Sequence, residues 1–212
     1  MLDLGVPMPR RIELDPSAVV LGGFIGERDR AILAGIDQVI AQSPARRLVV
    51  PGGGEMSVAV SNCGALGWVS DRHGYRYTGI DPLTGKAWPV MPQMFVEVAC
   101  EAAKMAGFAG FVPDACLVNR YEAGTKMGLH QDRKEVDFSW PIVSVSLGLG
   151  VVFLWGGMKR GEKAGRVILG HGDAVVWGGE ARLRYQGVSK IAAGEHKLTG
   201  TVRYNLTFRK AG

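Results

Sequence analysis

Arg203-Tyr204-Asn205-Leu206-Thr207-Phe208-Arg209 is a stretch of unbroken alternation near the end of a 212-residue chain. On an extended strand Tyr204, Leu206 and Phe208 share one face, and Arg203, Asn205, Thr207 and Arg209 share the other. The ordinary reading of such a pattern is an antiparallel strand with one wet face, yet a wet face more often carries Lys, Glu and Thr. Two guanidinium forks beside an amide are instead suited to gripping a carboxylate. The run Leu117-Val118-Asn119-Arg120-Tyr121 repeats the mixture, with Leu117, Asn119 and Tyr121 on one side. That combination suits the lining of a pocket for a small polar ligand.

Working outward, short β-rich runs punctuated by glycine occupy residues 115–121, 142–149, 151–155, 167–169, 174–177, 183–188 and 201–208. This is a sandwich or jelly-roll rhythm, and the 31 glycines supply its tight turns. Two stretches follow a helical period instead. Over 29–42, Ile32, Leu33, Ile36, Val39 and Ile40 form one face, with Pro44 just beyond. Over 92–106, Phe95, Val98, Ala99, Ala102 and Met105 do the same, with Pro92 in the first turn and Gly107 past the end. Residues 49–91 are rich in Gly, Pro and aromatics with little periodicity, and are expected as loops or short strands laid over the core, a setting that often carries binding. The expected fold is mainly β with flanking helices, in a single domain spanning 1–212.

Composition sets wide bounds. Hydrophobic residues at 47% and charged residues at 21% exclude a disordered chain. No apolar run approaches the length needed to cross a bilayer. Met1 to Arg11 carries no apolar h-region or cleavage site, so the cytoplasm is the default location. Cys63, Cys100 and Cys116 are odd in number and far apart, which argues for reduced structural thiols rather than a disulfide framework or zinc knuckle. A net charge of +5 and a pI near 9.2 are compatible with an acidic partner but point to nucleic acid only weakly. Nothing calls for an obligate partner, so a monomer is expected.

His130-Gln131-Asp132 sets an imidazole and a carboxylate two residues apart, so that both point the same way on a strand or extended turn. These are two of the three protein ligands of a 2-His-1-carboxylate site for non-haem Fe(II), which leaves positions open for a cosubstrate and oxygen. His171-Gly172-Asp173 repeats the motif, but Gly172 and Asp173 are turn formers, and His171 reads as a hydrogen-bonded structural residue.

These pieces have a common setting. His130-Gln131-Asp132, Pro141-Ile142-Val143-Ser144-Val145-Ser146-Leu147-Gly148-Leu149, His171-Gly172-Asp173 with Val176-Trp177-Gly178-Gly179, and Arg203 to Arg209 together resemble the AlkB family. Asn62-Cys63-Gly64 with Gly67-Trp68, Gly74-Tyr75-Arg76-Tyr77, Ile80-Asp81-Pro82, Pro113-Asp114-Ala115-Cys116 and Asn119-Arg120-Tyr121 extend the likeness over nearly the whole chain. The resemblance implies a double-stranded β-helix, or jelly-roll, core over 92–212, with an N-terminal extension and nucleotide-recognition lid over 1–91. It implies an Fe(II)- and 2-oxoglutarate-dependent dioxygenase that dealkylates bases in single- or double-stranded DNA, with RNA as a further substrate. His130 and Asp132 would hold iron. Arg203, Asn119, Tyr121 and Asn205 would hold the far carboxylate of 2-oxoglutarate, with Arg209 near its chelating end and counted among the catalytic residues. Trp68 would stack on the damaged base, with Tyr75, Arg76, Tyr77 and Arg160 around phosphate and base.

Three positions depart from the family pattern. Its second iron-binding histidine sits in a Tyr-His-Gly setting, whereas this chain reads Tyr185-Gln186-Gly187, which makes the third metal ligand a neutral amide and lowers the expected iron affinity and turnover. Lys134 stands where the family usually has an acid addressing the base's exocyclic amine. Gly54, in Pro51-Gly52-Gly53-Gly54, stands where the lid carries an aromatic. Two other classes follow from these departures: a nucleic-acid-binding pseudoenzyme, and a hydroxylase of a protein or small molecule.

Overall fold

The computed structural model describes residues 10–212; residues 1–9, the start of the expected N-terminal extension, lie outside the described residues. In chain order the elements are β1 (Arg10–Asp15), β2 (Ala18–Gly22), α1 (Asp29–Gln42), β3 (Arg46–Val49), β4 (Glu55–Gly64), β5 (Gly67–Asp71), β6 (Gly74–Thr78) and α2 (Gln93–Met105). They are followed by β7 (Ala115–Tyr121), β8 (Met127–His130), β9 (Ile142–Gly148), β10 (Val151–Trp155), β11 (Gly165–Leu169), β12 (Ala174–Trp177), β13 (Gln186–Val188) and β14 (Arg203–Arg209).

Eight strands form one sheet in the order β1-β2-β12-β9-β14-β7-β4-β3, and four form a second in the order β11-β10-β13-β8. All pairings are antiparallel. This is the jelly-roll architecture. The central strands of the large sheet, β12, β9, β14 and β7, are buried on both sides. Val143, Val145, Leu147, Leu206 and Phe208 pack with Ile32, Ile36, Phe95, Val98 and Ala102 from the helices. Its other face meets the small sheet through Val20, Leu117, Tyr121, Ile142, Phe153, Trp155 and Trp177.

That double burial explains the odd face of β14. Its Tyr204–Leu206–Phe208 side goes to the helix layer and its Arg203–Asn205–Thr207–Arg209 side faces the space between the sheets, so no face is wet. The neighbours obey the same division. Arg203 lies across from Gly148 and Tyr121, Asn205 from Ser146 and Asn119, and Thr207 from Ser144 and Leu117. Polar rows thus cross three strands in the middle of an otherwise apolar sheet.

Two expectations are corrected. Residues 49–91 are not merely laid over the core: β4 is a ten-residue strand of the large sheet, paired with β7. Its hydrophobic pattern is masked because buried polar side chains serve local backbone. The Ser61 hydroxyl donates to Ser43 O at 2.5 Å, and the Asn62 amide brackets Trp68, donating to its carbonyl at 3.0 Å and accepting from its N–H at 2.9 Å. Because β1 to β4 and α1 all belong to the core, only the hairpin β5–β6 and the loops beside it stand apart among the described residues up to 91. The run 183–188 likewise shrinks to Gln186–Val188. A 3-10 turn at Gly179–Ala181 leads into turn residues whose Arg182 and Arg184 bond the carbonyls of Trp140 and Gly156 at 3.1 and 3.0 Å.

Candidate active site

A cavity of about 680 Å³ opens between the two sheets and reaches the β5–β6 hairpin. At its inner end is Arg203, 1% exposed. Its Nη1 donates to Leu149 O at 2.8 Å and its Nη2 to Ser146 Oγ at 2.7 Å, while Nε has no partner. Burial lowers its pKa to about 10. Asp173 is near enough to favour the charge but is itself engaged by the backbone N–H groups of Gly23 and Gly170, at 2.8 and 2.7 Å. A buried guanidinium without a bonded carboxylate is costly unless a ligand supplies the anion. Tyr121 lies beside it, its phenol pushed up to about 12 by burial, and Asn119 Oδ1 is a second orphaned atom in the same wall. Arg203 and Tyr121 supply donors that fit the far carboxylate of 2-oxoglutarate, and Asn119, whose nitrogen donates to Asn205 and Thr207 at 3.3 to 3.4 Å, joins them only with its amide turned over, because its orphaned oxygen is an acceptor. Asn205 is committed elsewhere, its nitrogen donating to Ser144 Oγ at 2.8 Å and Val145 O at 3.1 Å. It shapes the wall but has no donor left for a ligand, since the sheet rows consume it.

The other end holds His130 and Asp132. His130 Nδ1 lies 2.9 Å from Gly128 O, a contact that fixes the proton on Nδ1 and leaves the Nε2 lone pair free. Nε2 faces Asp132 Oδ1 across 3.7 Å. The opposite oxygen of Asp132 accepts from Arg209 Nη2 at 2.7 Å and Nε at 3.2 Å. Burial opposes ionisation of Asp132, but the charge and hydrogen bonds of Arg209 outweigh it and hold the carboxyl below its ordinary value. For Arg209, burial again opposes the charge while Asp132 and Glu135 drive its pKa up.

The expected pair of arginines therefore does not grip one carboxylate together. Six residues of strand, about 20 Å, separate them, and Arg209 is bound to protein acids. Its partner Glu135, not singled out from the sequence, is 6% exposed. Glu135 accepts from the Tyr77 hydroxyl at 2.8 Å and forms ion pairs with Arg182 Nη2 at 3.2 Å and Arg209 Nε at 3.3 Å. The sequence signal available for it was an acid immediately after the His-x-Asp segment, which reads as surface charge until Arg182 is found beside it.

Gln186 sits where the third metal ligand was expected. It is directly across from His130 in the β8–β13 pair and across from Trp155 in β10. Gly187 allows this close approach, since a Cβ there would lie 2.9 Å from Met127 O. With its amide turned so that the nitrogen faces the two carbonyls, the orientation that satisfies both ends, Gln186 donates to Arg184 O at 2.5 Å and His130 O at 3.0 Å and leaves the oxygen as the free end. Among the described residues no three His, Cys, Asp or Glu side chains converge. The residues fit divalent iron held by an imidazole nitrogen, a carboxylate and an amide oxygen, a weaker set than one with two imidazoles.

At the hairpin, Trp68 stacks on Tyr75 with centroids 5.5 Å apart and planes 15° from parallel, and both line the cavity. Lys134 and Arg160 line it too, with Arg160 over the Tyr185 ring at 5.7 Å. Arg76 and Tyr77 do not. Strand alternation turns Arg76 away from Tyr75, and it pairs with Asp71 at 2.7 Å, while Tyr77 is held by Glu135, with burial and then nearby acids raising its pKa. Gly54 is exposed in the loop before β4. His171 accepts from Gly148 N at 3.0 Å and stacks on His196, outside the cavity.

The profile of the 2OG-Fe(II) oxygenase superfamily matches residues 17–209, and bacterial AlkB proteins align with the entire chain. The chain belongs to the AlkB family of these oxygenases. It is 53% identical to the alpha-ketoglutarate-dependent dioxygenase AlkB of Salmonella typhimurium over 212 residues, all of this chain and 98% of that one. It is 51% identical to AlkB of Escherichia coli K12 over 213 residues, covering 100% and 99%. The solved structure of OsALKBH1 superposes with a TM-score of 0.79 at 28% identity, covering 95% of this chain and 100% of that one. This AlkB-family protein is an Fe(II)- and 2-oxoglutarate-dependent dioxygenase, and no helix among its described residues is long and apolar enough to cross a membrane.

Proposed function

We propose that the chain removes alkyl groups from nucleobases by oxidation, with iron held by His130, Asp132 and the Gln186 oxygen and with 2-oxoglutarate anchored on Arg203, Asn119 and Tyr121. The observation that carries this reading is the buried Arg203 guanidinium, short of an anion, in the same cavity as the His130–Asp132 pair and the Trp68–Tyr75 stack. Bound there, the iron and cosubstrate would supply, with dioxygen, a two-electron oxidation of the alkyl C–H bond to C–OH, one oxygen atom entering the hydroxyl and the other the succinate formed with carbon dioxide from 2-oxoglutarate, after which the hydroxyalkyl C–N bond breaks and the group leaves as an aldehyde.

The protein's own part is positioning. Arg209 and Gly128 O fix the carboxylate and imidazole in a converging arrangement before any ligand arrives. A base inside a duplex cannot reach the cavity, so the nucleotide must leave the stack, and Trp68 with Tyr75 provides the aromatic surface that receives it. Single-stranded DNA, which requires no unpairing, is the expected preferred substrate, with RNA also accepted and the protein acting as a monomer. Free Cys63, Cys100 and Cys116 agree with a reducing, cytoplasmic setting.

The test is succinate release and loss of the methyl group from a single-stranded oligonucleotide carrying one N-methylated base, with the native chain and with Gln186→His. Slow turnover by the native chain and faster turnover by the variant are expected. A folded, Co(II)-binding variant inert on every methylated oligonucleotide would overturn the reading.

A further inference from the structure

The cavity that receives the base is unbalanced in charge. Four exposed cations line it, Lys126, Arg133, Lys134 and Arg160, against two carboxylates, Asp132 and Glu135. Neither carboxylate is free. Asp132 is bound by Arg209 at 2.7 and 3.2 Å. Glu135 receives Tyr77, Arg182 and Arg209 at 2.8 to 3.3 Å, and its Oε2 also accepts the backbone N–H of Lys134 at 3.1 Å. The chain therefore holds Lys134 beside an acid that is already saturated.

Alkylated bases fall into two chemical kinds. Alkylation at N1 of adenine or N3 of cytosine gives a cation whose exocyclic nitrogen donates hydrogen bonds. Alkylation at N1 of guanine or N3 of thymine gives a neutral base that presents accepting oxygens beside the alkyl group, two in thymine and one in guanine, which keeps its 2-amino donor on the other side. A cation needs an unpaired acid, because charge-assisted bonds are the strong ones. A neutral oxygen such as that of Gln131, whose nitrogen is tied to Leu183 O, is a weak substitute. A carbonyl base needs donors, and ammonium and guanidinium groups supply them in excess.

Resting on the dealkylation reading above, we propose that this cavity selects neutral, carbonyl-bearing alkylated bases, N1-alkylguanine and N3-alkylthymine or uracil, over cationic N1-alkyladenine and N3-alkylcytosine, and that Lys134 sets the preference. The strand's phosphates compete for some of these cations but add no acceptor inside the pocket for an exocyclic amine. Like-charge repulsion within a partly desolvated pocket also acts against the cationic lesions.

The experiment compares five single-stranded DNA oligonucleotides identical except at one base: unmodified, 1-methyladenine, 3-methylcytosine, 1-methylguanine and 3-methylthymine. Affinity is read by fluorescence anisotropy with the full chain in 2-oxoglutarate at physiological ionic strength, and succinate release is measured in parallel. The two neutral lesions should bind about tenfold more tightly than the two cationic ones, and Lys134→Glu should erase or invert that ratio. Lys104→Glu, an equal change of charge at the end of α2, should leave it intact. Equal binding of all four lesions above the unmodified strand, or tighter binding of the cationic pair, overturns the proposal and leaves dealkylation standing. If no lesion binds above the unmodified strand and none yields succinate, the underlying reading fails instead.

Discussion

The two arginines that end β14 share a strand, a face and near-complete burial, but their surroundings differ. Arg209 is ringed by Asp132 and Glu135, so its charge is answered within the protein and its pKa is driven up. Arg203 has only a carbonyl and a hydroxyl as partners, and its pKa is lowered to about 10 by burial. One end of the strand is a finished ion-pair network and the other a half-built one. The difference separates scaffold from binding site: a buried charge that the protein leaves unanswered marks where the ligand's opposite charge belongs.

The same substitution at the two ends should therefore produce opposite effects. Arg203→Met is expected to weaken 2-oxoglutarate binding by about 100-fold or more, because the carboxylate loses its buried partner. Folding stability should stay level or rise by about 1 kcal/mol as an unanswered charge is removed. Equilibrium dialysis of the cosubstrate and urea unfolding read the two quantities. Arg209→Met is expected to lower stability by about 3 kcal/mol, since it strands Asp132 and Glu135, and urea unfolding that shows no loss would erase the contrast. At the metal end, Gln186→His should tighten Co(II) binding by more than about 10-fold with little change in stability, followed by the visible absorption of the bound ion.

The smallest effect is a pH dependence. With its folded pKa near 10, below the ordinary arginine value, Arg203 is fully charged at neutral pH, and 2-oxoglutarate affinity should be flat there. Above about pH 10 the free protein sheds that proton, binding must take it back, and affinity should fall toward tenfold per pH unit. The free protein is at the same time relieved of a buried charge, so its own stability gains as pH rises through that value. Calorimetric titration in buffers of different protonation enthalpy would show proton uptake on binding near pH 10 and none at pH 7.

How far the sequence could be read depended on whether a residue's partner lay nearby in the chain. β14 and β7 were legible because alternation is a local property, and α1 was legible to its last residue. His130 and Asp132 were legible because two residues of chain suffice to align them. β4 was not, because Ser61 and Asn62 bury polar groups against Ser43 and Trp68, and the strand lost its apolar signature. Glu135 was not, because its partners Tyr77, Arg182 and Arg209 lie between 47 and 74 residues away in sequence, and Arg76 falls outside the cavity that Tyr75 lines because a motif read as a block ignores the two-residue period of a strand.

The alignment of Gln186 with His130 across two strands has a genetic consequence. Glutamine and histidine codons share their first two bases, so a single substitution at the third converts one side chain into the other. Because the backbone at this position is already held opposite its neighbour, with Gly187 making room, the exchange leaves the strand pairing in place and costs the amide's bonds to Arg184 O and His130 O. On the reading proposed above, one nucleotide then sets the strength of the metal site while the strands around it stay as they are.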